Sequence, residues 1–125
     1  MNMETPIHST VSEDLKSFIS HYVSSYAAWD IVTYFYDTPG TIRADVDEIA
    51  SSIGREPSDI KPILEHLTAM GILFVVDQHT KHLYAPNNKS QVKDLIHKFL
   101  RFTATKQGRL KTIYLITSER FKKEE

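Results

Sequence analysis

Asp77, His79 and His82 stand in a D-x-H-x-x-H spacing, and His97 follows farther along the chain. Nitrogen and carboxylate ligands so spaced could supply three of the four positions that zinc takes. The competing reading is an exposed polar turn. It is preferred, because three ligands from one short stretch with no clear fourth make a weak site. No metal or other cofactor is therefore expected. Cysteine is absent, which excludes disulfides and thiolate metal sites and fits a cytoplasmic protein. The sequence contains no nucleophile motif and no HExxH. Its four glycines are too few and too scattered for a phosphate-cradling loop. Its serines and histidines fall in capping and surface patterns, so an enzyme is not expected.

Trp29, Tyr34, Phe35 and Tyr36 form the densest aromatic group. They could wall a small-ligand pocket, or they could simply pack helices or a dimer seam, where aromatic area is enriched. Phe99, Phe102 and Tyr114 read in the same way, as core or dimer contacts.

The formal net charge of −1 conceals a division. Residues 1–80 hold 12 acidic and 4 basic residues, whereas residues 81–125 hold 4 acidic and 11 basic. Such a split suggests two surfaces with different partners, or ends that neutralise each other between copies in a dimer. No run of about 18 apolar residues is present, so no membrane span is expected. The first residues lack a signal-peptide core.

The elements that must position these residues follow from periodicity. Residues 1–10 read as a flexible tail and 119–125 as a second tail, with one domain over 11–118 between them. Thr10 and Glu13 fit a capping box ahead of a helix over residues 11–26, and Ser24–Ser25 mark a bend. Ala28, Ile31, Val32 and Phe35 continue the helical pattern until "DTPG" interrupts it. Thr41–Arg43 suits a short extended piece. Asp45 and Glu48 form a D-x-x-E box opening another helix, which Gly54 ends in a left-handed conformation. Pro57 suits a first helical position. Pro62 predicts a bent or 3₁₀-like start, with regular helix from about Asp59 to Met70 and Gly71 closing it. "ILFVVD" and "KHLYAP" predict two strands around a "QHT" turn. Ser90 would cap a helix bearing Val92, Leu95, Ile96, Phe99 and Phe102. Gly108 is expected to break or bend it, and Leu110, Ile113, Tyr114 and Thr117 resume the apolar spacing.

Two helices separated by a short glycine-containing turn, then a hairpin, is a helix-turn-helix order with a following wing. The stretch "DVDEIASSIGREPSDIKPILEHLTAMGILF" followed by "LYAP" resembles the winged helix-turn-helix domain of ArsR-like and MarR-like regulators. Ile49-Ala50, Ile53-Gly54, Ile60, Leu64, Leu67 and Gly71-Ile72-Leu73 carry the likeness.

That resemblance implies a mainly α fold with a small β-hairpin and additional N- and C-terminal helices. It places the helix-turn-helix at about 45–70, the wing at about 72–86 and C-terminal helices at about 90–118. It implies a cytoplasmic transcriptional regulator that binds duplex DNA as a homodimer. Ser58, Lys61, Pro62, Glu65 and His66 would face the groove, and Lys81, His82 and Lys89 would touch the backbone. The charge pattern keeps a rival open: Asp45 to Glu65 holds six acidic and two basic residues, a poor surface for a polyanion. An acidic face of this kind also suits a protein-interaction module with a basic partner.

Overall fold

Ser25 divides the N-terminal apolar stretch into two helices. α1 (Glu13–Tyr22) stops at Val23, and α2 (Tyr26–Tyr36) starts with the Ser25 side chain accepting the Ala28 N–H at 3.1 Å. The expected single helix over 11–26 is thus corrected: the serine satisfies an orphan N–H of the second helix, so the chain turns there. This computed structural model describes residues 11–37, 42–89 and 91–124, with side chains to residue 118. Expectations resting on Thr10, Pro39, Gly40, Thr41 and Ser90 lie outside the described residues.

Ala44, just before the third helix, forms an isolated antiparallel bridge with Tyr84. α3 (Val46–Ile53) then opens on the expected capping box, with Asp45 accepting from Glu48 N–H at 2.9 Å and Glu48 accepting from Asp45 N–H at 3.0 Å. Gly54 takes φ 72°, and the Arg55 N–H returns to the Ala50 carbonyl.

α4 (Pro57–Ala69) begins two residues earlier than Pro62 suggested. Only one 3₁₀-type bond, Asp59 N–H to Glu56 carbonyl, marks its first turn. Pro62 cannot donate to the Ser58 carbonyl. Both residues are exposed, so water can satisfy that oxygen and the helix continues. Gly71, at φ 82°, closes α4: the Ile72 N–H reaches the Leu67 carbonyl and the Gly71 N–H the Thr68 carbonyl.

Strands β1 (Leu73–Gln78) and β2 (Lys81–Pro86) pair antiparallel, Leu73 opposite Pro86 and Gln78 opposite Lys81. The connecting turn is therefore His79–Thr80, with His79 at φ 58°. Gln78 belongs to the strand. The Tyr36 hydroxyl donates to the Ile72 carbonyl at 2.7 Å and accepts the Asn87 N–H at 3.1 Å, so α2 grips the base of the hairpin.

α5 (Lys93–Thr103) and α6 (Lys106–Glu124) complete the chain. The break falls at Ala104–Thr105, and Gly108 lies inside α6 instead of interrupting it. Its role is close approach: a Cβ there would overlap the Phe102 carbonyl. The Thr105 hydroxyl donates to that carbonyl and accepts the Gly108 N–H, each at 3.0 Å. α6 consequently turns Gly108 and Thr112 inward at its start, with Ile116 reaching the core farther along. Gly108, Thr112 and Ile116 are buried, whereas Leu110, Ile113 and Tyr114 remain 40–47% exposed. Of the two readings open for Tyr114, core or dimer contact, its exposure excludes the core.

The architecture is mainly helical, with a small antiparallel hairpin. A single core gathers Leu15, Phe18 and Ile19 of α1, Ile31, Val32 and Phe35 of α2, Ile49 of α3, Ile60, Leu64 and Leu67 of α4, and Phe99 and Ile116 from the C-terminal pair. Full burial of each such side chain contributes about 1.5–3 kcal/mol. Among the described residues, no helix is long and apolar enough to cross a membrane.

Candidate nucleic-acid interface

Burial of Ile60, Leu64 and Leu67 fixes the rotation of α4, and that rotation sets its outer face. Ser58, Lys61, Pro62 and Glu65 then form one exposed stripe at helical spacing. The hairpin lies beside this stripe. Lys61 and Glu65 of α4, His82 and Tyr84 of β2, and Val46 of α3 line a hollow of about 300 Å³. The Ala44–Tyr84 bridge, at 2.8 and 3.1 Å, holds the start of α3 against β2 and closes this hollow at its back.

Register determines the next contacts. Asp77 lies opposite His82, and their side chains meet at 2.9 Å. His82 also packs edge-on against Tyr84 at 5.2 Å. Burial, and then the neighbouring Glu65 carboxylate, push the Tyr84 phenol above its ordinary pKa. Lys81 reaches back to the Asp45 carboxylate at 3.9 Å. Arg55, on the α3–α4 connection, forms an ion pair with Asp30 of α2 through Nη2 at 2.9 Å and Nε at 3.0 Å.

Of Lys61, Lys81, His82 and Arg55, only Lys61 has no carboxylate within ion-pair distance among the described residues. The three pairs are substantially exposed, so each is weak and open to exchange with another anion.

Of the eight predicted contact residues only Lys61, Glu65 and His82 line the hollow, and two, His66 and Lys89, point or lie elsewhere altogether. His66 turns toward α1, its Nε2 lying 3.2 Å from the His21 carbonyl. Lys89 sits at the base of the hairpin, far in register from the His79–Thr80 turn, and shares a recess with Tyr22, Met70, Gly71 and Val92. Ser58, Lys61, Pro62 and Glu65 share the α4 stripe, and Lys81 and His82 share the hairpin end. The D-x-H-x-x-H spacing brings Asp77 and His82 together without His79. Among the described residues, no group of three His, Cys, Asp or Glu side chains gathers as metal ligands would.

The aromatic group divides. Phe35 is buried in the core, and Tyr36 ties α2 to the hairpin base. Trp29 and Tyr34 flank a separate cavity of about 530 Å³, with Asp30 and Thr33 of α2, Asp37 at its end, Ile53 of α3 and Arg109 of α6 among its walls.

Sequence reasoning grouped Asp77 with His79 and His82 but not as the two-membered Asp77–His82 pair, and it missed the Lys81–Asp45 and Arg55–Asp30 pairs. The first was within reach: a two-residue turn places positions 77 and 82 opposite one another. The other two join distant elements and carry no local signal. Comparison of the chain with protein-family models, curated proteins and solved structures finds no match.

Proposed function

We propose that the chain is a winged helix-turn-helix DNA-binding regulator of transcription, acting on duplex DNA as a homodimer. The observation that carries this reading is the exposed stripe Ser58–Lys61–Pro62–Glu65 on α4 beside the hairpin end that bears Lys81 and His82. A helix of this diameter fits the major groove, and a hairpin beside it reaches the flanking backbone. Lys61 faces the groove with no carboxylate within ion-pair distance among the described residues. Lys81 and His82 exchange weak intramolecular partners for phosphate. Glu65 accepts from cytosine amino groups, and Ser58 bonds to several base edges. The exposed basic residues Arg101 and Lys106, on and after α5, add longer-range attraction.

The outward face of α6 supplies the pairing surface. Leu110, Ile113, Tyr114 and Thr117 recur at helical spacing and are all exposed. Packing this face on a second copy removes apolar area from water and joins two α4 helices in one assembly.

A mobility-shift assay with random duplex DNA at low salt tests the reading. Retention should fall steeply with added salt, and Lys61→Glu or Lys81→Glu should weaken binding on every sequence. A second reading is a protein-interaction module, favoured by the acidic residues of α3 and α4 and by the carboxylates already paired with Arg55, Lys81 and His82. No DNA retention at about 50 mM salt, together with a stable complex with a basic protein, would replace the first reading by the second.

A further inference from the structure

We infer that the cavity between α2, the end of α3 and the α5–α6 turn is a binding site for an organic cation: an amine or guanidinium carried on an apolar, aromatic-sized body. The volume of about 530 Å³ suits a small molecule. Its walls combine two aromatic side chains, Trp29 and Tyr34, with the apolar side chains Ile53 and Leu100. Aromatic faces attract cations and pack against flat apolar bodies.

The polar groups set the sign of the ligand. Asp30 and Thr33 of α2 and Asp37, the residue that caps its end, follow at spacings of three and four residues, and all three line the cavity. Asp30 already holds a guanidinium, that of Arg55, through two nitrogens. Arg55 itself is not among the cavity's walls, so Asp30 binds a cation of its own chain from beside the cavity, in a partly exposed pair weak enough to be displaced. Arg109, the cation among the lining residues, directs Nη1 at the Thr103 and Ala104 carbonyls at 3.3 and 3.2 Å. Its charge is thus partly offset by the C-terminal end of α5.

A ligand amine that takes Asp30 releases Arg55 from α2. Arg55 lies on the connection between α3 and α4, so the exchange adds a free cation beside the proposed DNA face. That consequence rests on the DNA-binding reading; the binding itself does not.

The test uses the full chain with 2-phenylethylamine as the cation and 3-phenylpropionate as an anion of similar shape. Trp29 is the only tryptophan, so its fluorescence reports on this cavity. The amine should bind and the carboxylate should not. Asp37→Asn should weaken amine binding without touching the Arg55 pair. Arg55→Ala removes the internal competitor and should tighten binding by about two- to fivefold, the strength of an exposed ion pair. The inference is overturned if the amine fails to bind both the wild type and Arg55→Ala at millimolar concentration. Equal binding of the carboxylate, or no change in Asp37→Asn, overturns it too. No DNA is present, so failure here leaves the DNA-binding reading standing. Should the amine bind and Arg55→Ala not tighten it, the exchange with Arg55 is refuted.

Discussion

Gly108→Ala sets two physical effects against each other. Gly108 lies within α6 at an ordinary helical φ, so propensity alone favours alanine by about 1 kcal/mol. The contact opposes it. A Cβ at this position would overlap the Phe102 carbonyl oxygen and lie 2.6 Å from its carbon. The obstacle is backbone, which cannot rotate away as a side-chain tip can. The start of α6 would have to lift from the end of α5 by about an ångström, an overpacking that costs about 1–3 kcal/mol. Lifting also strains the two 3.0 Å bonds of the Thr105 hydroxyl, each worth about 0.5–1.5 kcal/mol. The losses exceed the gain, leaving a net destabilisation of about 2 kcal/mol. For a domain of this size that lowers Tm by roughly 6–10 °C. Thermal unfolding followed by circular dichroism measures it. A Tm equal to or above the wild type would refute the close-approach account and leave propensity as the stronger effect. Gly54 is the control. It has open space around it but φ 72°, so Gly54→Ala costs about 1–2 kcal/mol through backbone strain alone. Asparagine tolerates that conformation, so Gly54→Asn should recover much of the loss while Gly108→Asn should not.

Other outcomes follow from single contacts. Tyr36→Phe removes the hydroxyl that bridges α2 to Ile72 and Asn87, and should cost about 1–3 kcal/mol in urea unfolding. Asp45→Ala deletes the α3 capping box and the Lys81 contact together, with an expected loss of about 1 kcal/mol of stability. Leu110→Glu or Ile113→Glu should give a folded monomer by light scattering and circular dichroism, because both side chains face away from the core of their own chain, and Tm should lose its dependence on protein concentration. The Asp14 carboxyl is held below its ordinary pKa by the Ser12 hydroxyl and then by Lys98. The folded state therefore binds that proton less readily than the unfolded chain. Stability from the α1–α5 tie is present above about pH 4 and is lost as pH falls through the folded pKa; Lys98→Met should flatten that acid limb. Burial raises the Tyr36 phenol, so its contribution holds below about pH 10 and fades as pH rises through the folded value.

Local rules were legible wherever one short stretch contains the whole cause. The Asp45–Glu48 box, the left-handed glycines at 54 and 71, Pro57 at the helix start and the two strands all follow from a few adjacent residues. Those features in turn dictated that α3, α4 and the hairpin follow one another closely. Burial of Ile60, Leu64 and Leu67 was equally readable, and it places Ser58, Lys61, Pro62 and Glu65 outside.

Tertiary structure decided what depends on distant partners. Periodicity groups Leu110, Ile113 and Tyr114 on one face of a helix and leaves open whether that face meets the core or a dimer partner. α6 must pass close over the end of α5, however, and only the face with Gly108 and Thr112 is slim enough for that approach. His66 and Lys61 share the α4 pattern, yet α1 lies against one side of the helix and takes His66 away from the hairpin hollow. Nothing near Arg55 in the sequence reveals its partner; α2 brings Asp30 to it across 25 residues of chain. Spacing along a sequence sets which residues share a face. Which face is covered, and which charge is already answered, is decided by elements that meet only when the chain has folded.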